Sequence, residues 1–325
     1  MKKTLILTVL VLALAPLAAL AQADPTAPKA ASASAPTTTS APASKPFVMA
    51  TVDKKEISSD FVDKMIRARF GNEVPQEDLP AARSEFLQSA IVLELMTRFL
   101  DQQKVEAADA DLKAQKDLVA KAAAKDNMTV EAFMADRGIT DQHMRDAARQ
   151  EKLYKDTIAE EKVQAFIKAN PHYFDGTKIK GSHILIKIDP ITSTEDLKAA
   201  KARLEGIAAD IKAGKITFEE AAKKFSDCPS KEKGGDLGEW TYVGSPQGGM
   251  DKLFSKAAFA TKVGEVSGVV HTRFGFHIIK VTGLTEGKDK PDESTDAAAK
   301  SGVVAELQAQ LFDLPMGTVK VVINK

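Results

Sequence analysis

The chain has 325 residues, 44% of them hydrophobic and 28% charged, which is enough for two compact domains and too apolar for global disorder. Lys and Arg number 45, as do Asp and Glu, so the net charge of zero argues against nucleic acid or an anionic membrane surface as a partner. A single cysteine, Cys228, excludes an internal disulfide.

Lys2 and Lys3 precede an apolar run from Leu5 to about Leu20, which ends in Ala21-Gln22-Ala23. Residues 1–23 thus have the layout of a secretory signal peptide with a small-x-small cleavage site. An uncleaved anchor helix is the competing reading; Pro16 and the small residues near the end of the run favour cleavage. Export to the periplasm is expected, with the cell surface or the medium as alternatives. No other stretch is apolar enough to span a membrane, so stable insertion after cleavage is not expected. Residues 24–46 are almost all Ala, Pro, Ser and Thr, with too little apolar bulk to fold, and read as a tether.

"FVMATV" at 47–52 reads as a strand. Helical patterning then runs from Ser58 to about Ala169. Ser58 or Ser59 caps a helix with Phe61, Val62, Met65, Ile66 and Phe70 on its apolar face, stopped by Gly71. A second helix follows Pro80 and carries Phe86, Leu87, Ala90, Ile91, Leu95 and Phe99. A third, Ala110 to Ala124, has a thin stripe at Leu112, Val119 and Ala123. Thr129 and Thr140 cap two more; Gly138 ends the first of these, and Asn170-Pro171 ends the helical region. Such narrow stripes do not predict one thick core.

At Lys178 the period changes: "KIKGSHILIKI" alternates as a strand does. Helices follow at Glu195–Ala213, with Gly214 as C-cap, and at Phe218–Phe225. After a glycine-rich loop, "GGMDKLFSKAAF" reads as a helix, and "VSGVV" and "FGFHIIKV" as strands. The tail holds a helix, Asp296–Phe312, stopped by Pro315, and a last strand in "TVKVVIN". That strand is predicted to pair with Phe47–Val52, joining the two ends of the mature chain. No internal repeat is present.

Three stretches carry chemistry: "SHILIK" with His183, "FSDCPSKEKGGDLGEW" with Cys228 and Asp236, and "HTRFGFHIIKV" with Thr272 and His277. For Cys228 the sequence leaves four readings open. A nucleophile needs a base, and two histidines are candidates. A metal ligand needs companions, but there is no CxxC or HExxH motif, and no metal or cofactor is expected. A polarisable, half-buried thiol and an inert packing residue complete the set. Gly234, Gly235 and Gly238 supply backbone angles for a turn, which Asp236 helps to shape. Met250 and Phe254 lie one helical turn apart and would share a face; periodicity alone makes that a core stripe. His183 and His277 each begin an apolar strand, where a histidine is ordinarily a satisfied core residue. His143, His172 and His271 have no carboxylate or cysteine at ligand spacing and read as surface or loop residues, with His271 placed to line a cleft rim.

Residues 177–283 resemble a parvulin-type peptidyl-prolyl cis/trans isomerase. The resemblance rests on the strand histidine, the Ser-Asp-Cys turn, Gly-Gly-Asp-Leu-Gly, Met250 with Phe254, and the closing Phe-Gly-x-His-Ile-Ile-Lys-Val strand. It implies an α+β fold: a small antiparallel or mixed sheet with surrounding helices. It also implies that Leu237, Met250 and Phe254 hold the prolyl ring, with Trp240 packed beneath. His183 and His277 would lie on adjacent strands, in a hydrogen-bonded network with Cys228, and Thr272 would link the two histidines. His183, Cys228, His277 and Thr272 are therefore the catalytic candidates.

The flanks resemble exported foldases of the SurA and PrsA type. This implies a mainly helical chaperone-like domain at 47–176, with residues 284–325 packing on it. The expected function is isomerisation assisting the folding of exported proteins; the alternative is a holdase with a weakly active or inactive parvulin domain. The partners implied are unfolded or proline-containing polypeptides, and a homodimer is compatible with the pattern. Phosphate-directed parvulins carry a basic cluster after the first strand. Here "KIDPITSTED" holds Lys187 beside Asp189, Glu195 and Asp196, which argues against phosphorylated substrates.

Overall fold

The computed structural model describes residues 46–70, 74–75, 77–188, 192–242, 250–290 and 293–324. The expected signal peptide, all of the tether but Pro46, and the Gly71 stop lie outside the described residues.

β1 (Val48–Val52) and β2 (Lys55–Ser58) form a hairpin turning at Asp53, whose φ of 53° is a left-handed angle that short polar residues tolerate. With Ile57 as its only apolar residue, β2 shows no alternation in the sequence, so it was not expected. α1 (Ser59–Phe70) starts at the serines: Ser58 Oγ accepts from the Phe61 N–H and Ser59 Oγ from the Phe47 N–H. α2 (Leu79–Gln102) carries Pro80 in its first turn, where no helical N–H is lost.

α3 (Asp109–Lys125), α4 (Val130–Arg137) and α5 (Asp141–Thr157) follow, the last two capped by the Thr129 and Thr140 hydroxyls as expected. Gly138 closes α4 at φ 66°. His143 is not an idle surface residue: its Nδ1 accepts the Thr140 N–H in a capping box. α6 (Glu160–Ala169) stops at Asn170, before a 3-10 turn at Pro171–Tyr173.

The second half comprises β3 (Lys178–Lys187), α7 (Thr194–Lys212), α8 (Phe218–Phe225), a 3-10 turn (Pro229–Lys233), β4 (Asp236–Thr241) and α9 (Lys252–Ala260). β5 (Val270–Thr272), β6 (Gly275–Thr285), α10 (Glu293–Phe312), a 3-10 turn (Leu314–Met316) and β7 (Val321–Ile323) complete it. Several details differ from the sequence reading. β4 lies in what reads as a glycine-rich loop. Val266 makes only an isolated bridge to Lys280, so the strand there is confined to β5. Ala213, not Gly214, caps α7, and Gly214 follows at φ 69°. α10 begins at Glu293, about one turn before Asp296.

Two antiparallel sheets result, ordered β2-β1-β7 and β4-β3-β6-β5. The expected pairing of the chain ends is present: Ala50 faces Ile323 and Val52 faces Val321. Asp53 also clamps Lys320, its N–H donating to the Lys320 carbonyl and its Oδ1 accepting the Lys320 N–H at 2.8 Å. Leu311, Leu314, Val319 and Val321 from the tail are buried in one core with Val62, Ile66, Phe86, Ile91, Phe99 and Leu100. α3, α4 and α5 enclose a separate, smaller cluster of Val119, Ala122, Ala123, Phe133 and Met144, as their thin stripes imply.

The four-stranded sheet buries both faces. On one side Ile184, Ile186, Phe276 and Ile278 pack with Leu197, Leu204 and Phe218 of α7 and α8. On the other, Ile179, Ile279 and Val281 pack with Trp240, Phe254 and Ala258. If the tail completes the N-terminal core in this way, Leu311→Ala should cost about 2–5 kcal/mol in urea unfolding of the full chain. A loss below about 1 kcal/mol would contradict that packing.

Candidate active site

The period of two along a strand decides where the histidines point. On β3 and β6 the even positions Ile184, Ile186, Phe276 and Ile278 face α7 and α8, which sends His183 and His277 to the opposite face, under α9. Both histidines sit inside their strands rather than at the starts. In register His183 faces Ile279 and Leu185 faces His277, so the two rings are diagonal neighbours within aromatic reach. Their Nδ1 atoms lie 3.2 Å apart, and the rings are nearly parallel at 19°.

Both side chains are buried, and burial pushes His183 down to about 4 and His277 down to about 3, the latter helped by repulsion from His183 and His271. The pair is therefore neutral near pH 7, and one Nδ1–H donates to the other Nδ1. His277 Nε2 meets Thr272 Oγ1 at 2.9 Å, and that hydroxyl oxygen also accepts the Phe274 N–H at 3.1 Å. Thr272 thus continues the chain beyond His277 instead of linking the two histidines. At the other end His183 Nε2 is buried without a hydrogen-bond partner among the described residues.

Phe254 covers the pair. Its ring meets His183 at 5.4 Å and 87° and His277 at 5.3 Å and 74°, both edge-on contacts of the favoured kind. Trp240 is fully buried 5.9 Å from Phe254, beneath the site as expected. Leu237, Met250 and Val270 are partly buried around this cluster. Met250 precedes α9, whose cap is Asp251, so it does not share a helical face with Phe254; the chain brings it to the cluster before the helix begins. Val270 was missed, although its place two residues before Thr272 puts it on the same strand face.

The Ser-Asp-Cys turn is tied to β3. Ser226 Oγ accepts the Leu185 and Cys228 N–H groups, and Asp227 Oδ2 accepts the Lys187 N–H. These anchoring roles were not foreseen; the signal was the turn chemistry of Ser and Asp before Cys-Pro. Cys228 is half-buried and caps the 3-10 turn, but it makes no hydrogen bond to either histidine, so the structure does not bring it into the expected network. The glycines behave as expected. Gly235 sits at φ 86°, its carbonyl accepts the His183 N–H at 2.9 Å, and a Cβ there would collide with the His183 carbonyl oxygen. Asp236 Oδ1 accepts the Gly238 N–H, which shapes the turn. Among the described residues no cluster of His, Cys, Asp or Glu is placed to hold a metal, and no helix is long and apolar enough to cross a membrane.

The PPIC-type PPIase rotamase domain matches residues 183–283. The peptidyl-prolyl cis-trans isomerase Pin1 of Arabidopsis thaliana is 42% identical over 118 residues, covering 32% of this chain and 95% of that protein. The chain belongs to the PPIC-type, or parvulin, isomerase family. Chaperone SurA of Escherichia coli O157:H7 is 40% identical over 137 residues, covering 42% of this chain but only 29% of SurA. A crystal structure of PrsA from Bacillus anthracis is 24% identical, covers 74% of this chain and 99% of its own, and gives a TM-score of 0.33.

Within the parvulin unit the burial of the histidine pair has a testable consequence. The folded-state values lie below that of a free histidine, about 6.5. Protonation therefore favours the unfolded chain. The pair's contribution is complete above about pH 6.5 and is lost as the pH falls towards 4 and then 3. Ring-proton NMR of the full chain should show His183 and His277 neutral from pH 8 down to 5. A midpoint near 6.5 for either ring would contradict the buried pair.

Proposed function

We propose that the chain is an exported foldase whose parvulin unit, residues 177–283, isomerises Xaa-Pro bonds without covalent, metal or cofactor chemistry. The observation that carries this is the neutral, hydrogen-bonded pair His183–His277 roofed by Phe254. An Xaa-Pro bond resists rotation because its partial double bond sets a barrier of about 18–20 kcal/mol. The twisted transition state has lost amide resonance and the charge separation that goes with it. A dry apolar cup favours this less polar form over the planar one, and each ~1.4 kcal/mol of selective stabilisation gives about tenfold in rate.

In this reading Leu237, Met250 and Phe254 hold the prolyl ring. His183 and His277, held by each other and by Thr272, present a set of oriented dipoles beneath the rotating amide. The unpartnered His183 Nε2 is the polar atom available to a bound peptide. In this reading Cys228 contributes a polarisable, half-buried thiol. It does not act as a nucleophile in this reading, since neither histidine hydrogen-bonds the thiol to take its proton.

The foldase role rests on the likeness to SurA and on the signal-like N-terminus. Unfolded or proline-containing polypeptides of the periplasm would be the clients. Residues 47–176 with the tail 284–325 would form the chaperone-like part. Phe47, Phe70 and Leu118 are exposed there, which supports a second, holdase activity alongside catalysis. Lys187 is the only basic side chain in "KIDPITSTED", so plain peptides are the substrates rather than phosphorylated ones.

The full chain should isomerise a short Xaa-Pro peptide in a protease-coupled assay. Phe254→Ala and His277→Ala should each lower kcat/KM by about tenfold or more, the equivalent of ~1.4 kcal/mol. Cys228→Asp should keep most of the activity, and a phosphoserine-proline peptide should have no advantage. An inactive wild type that still suppresses aggregation would leave only the holdase role. Complete loss in Cys228→Asp, or a large preference for the phosphopeptide, would overturn the reading of the site.

A further inference from the structure

The family match ends at residue 283, yet the tail beyond it touches the strand that holds Thr272. Asp313 Oδ1 accepts a hydrogen bond from His271 Nδ1 at 2.9 Å. His271 is the middle residue of β5, directly opposite Phe276 of β6, and its ring stacks on the Phe276 ring at 4.4 Å and 29°. Strand alternation places His271 on the α7–α8 face and its neighbour Thr272 on the histidine face. The flanking tail residues are fixed on both sides of the molecule. Leu314 is buried in the N-terminal core, Met316 packs against the core of the four-stranded sheet, and the Val321 N–H donates to Thr194 Oγ1 of α7 at 2.8 Å.

We infer that Asp313 and His271 are positioning residues for the isomerase site, through which the C-terminal tail holds β5 and so keeps Thr272 on His277. β5 needs such a holder. It has three residues, lies at the sheet edge, and pairs with β6 alone. The Thr272 hydroxyl is the partner that the described residues offer His277 Nε2, and together with the Nδ1 contact to His183 this bond engages both ring nitrogens and holds the ring in place. A small outward movement of β5 breaks it. The Asp313 carboxylate is 59% exposed, so the pair contributes little to global stability, and its effect falls on the register of one strand.

The inference rests on the isomerase reading, and the test separates the two. In the full chain, Asp313→Ala should lower kcat several-fold with KM within about twofold, and Asp313→Glu should restore most of it. His271→Ala combined with Asp313→Ala should be no worse than His271→Ala alone, since both cut the same link. The thermal midpoint of Asp313→Ala should stay within about 2 °C of wild type, which separates positioning from unfolding. Nitrogen-15 NMR of the His277 ring gives a readout that does not need activity: one dominant tautomer in wild type, and tautomer averaging in Asp313→Ala. Ring shifts and kcat in Asp313→Ala that match wild type would overturn the inference. So would singles whose effects add in the double variant, or a loss that Asp313→Glu does not restore. An inactive wild type with averaged His277 shifts in Asp313→Ala would sink the isomerase reading and leave the positioning role standing.

Discussion

The site depends on one hydrogen bond between two buried imidazoles. Burying a charge without a counter-charge is costly, and among the described residues no carboxylate pairs with either ring. The pair is stable there because both rings are neutral and one satisfies the other. Everything nearby serves that condition: Phe254 excludes water from above, Trp240 fills the space beneath Phe254, and the Gly235 carbonyl fixes the His183 backbone. The resulting floor has oriented dipoles and no net charge, which in the proposed function suits an amide that loses polarity as it twists. An ionised floor would favour the planar form.

The sheet serves two ends. Its α7–α8 face is a plain apolar core, and its other face carries the site, so one pair of strands supplies both by alternating side chains. The tail then ties this sheet to the N-terminal core. β7 completes the other sheet, Leu314 enters its core, and Met316 enters the core beneath α7. The same few tail residues connect the helical part to β5.

Much of this was legible in the sequence because it depends on local periods and caps. Ile184 and Ile186 alternate with His183, which placed that histidine on a strand face. Thr129, Thr140 and Gly138 marked helix ends through side-chain chemistry that acts within three or four residues. The joining of Phe47–Val52 to the last strand was readable because an isolated strand needs a partner. What failed was non-local or glycine-masked. β4 is hidden because Gly234, Gly235 and Gly238 signal turns while the backbone pairs with β3. Met250 lies outside α9 because Asp251, the residue after it, caps the helix. The His271–Asp313 contact spans 42 residues, and neither residue carries a local mark of the other. Thr272 was placed in the right network but on the wrong side of His277, since strand order alone does not say which ring nitrogen a hydroxyl will meet.

The central claim is that His183 and His277 share one proton between their Nδ1 atoms in a neutral, water-free pair. Its most direct test is the scalar coupling across that bond in a chain labelled with nitrogen-15 histidine, recorded at pH 7. The account predicts a resolved coupling between the two Nδ1 nuclei, with one of them protonated. Two uncoupled rings exchanging tautomers as free imidazole does would contradict it.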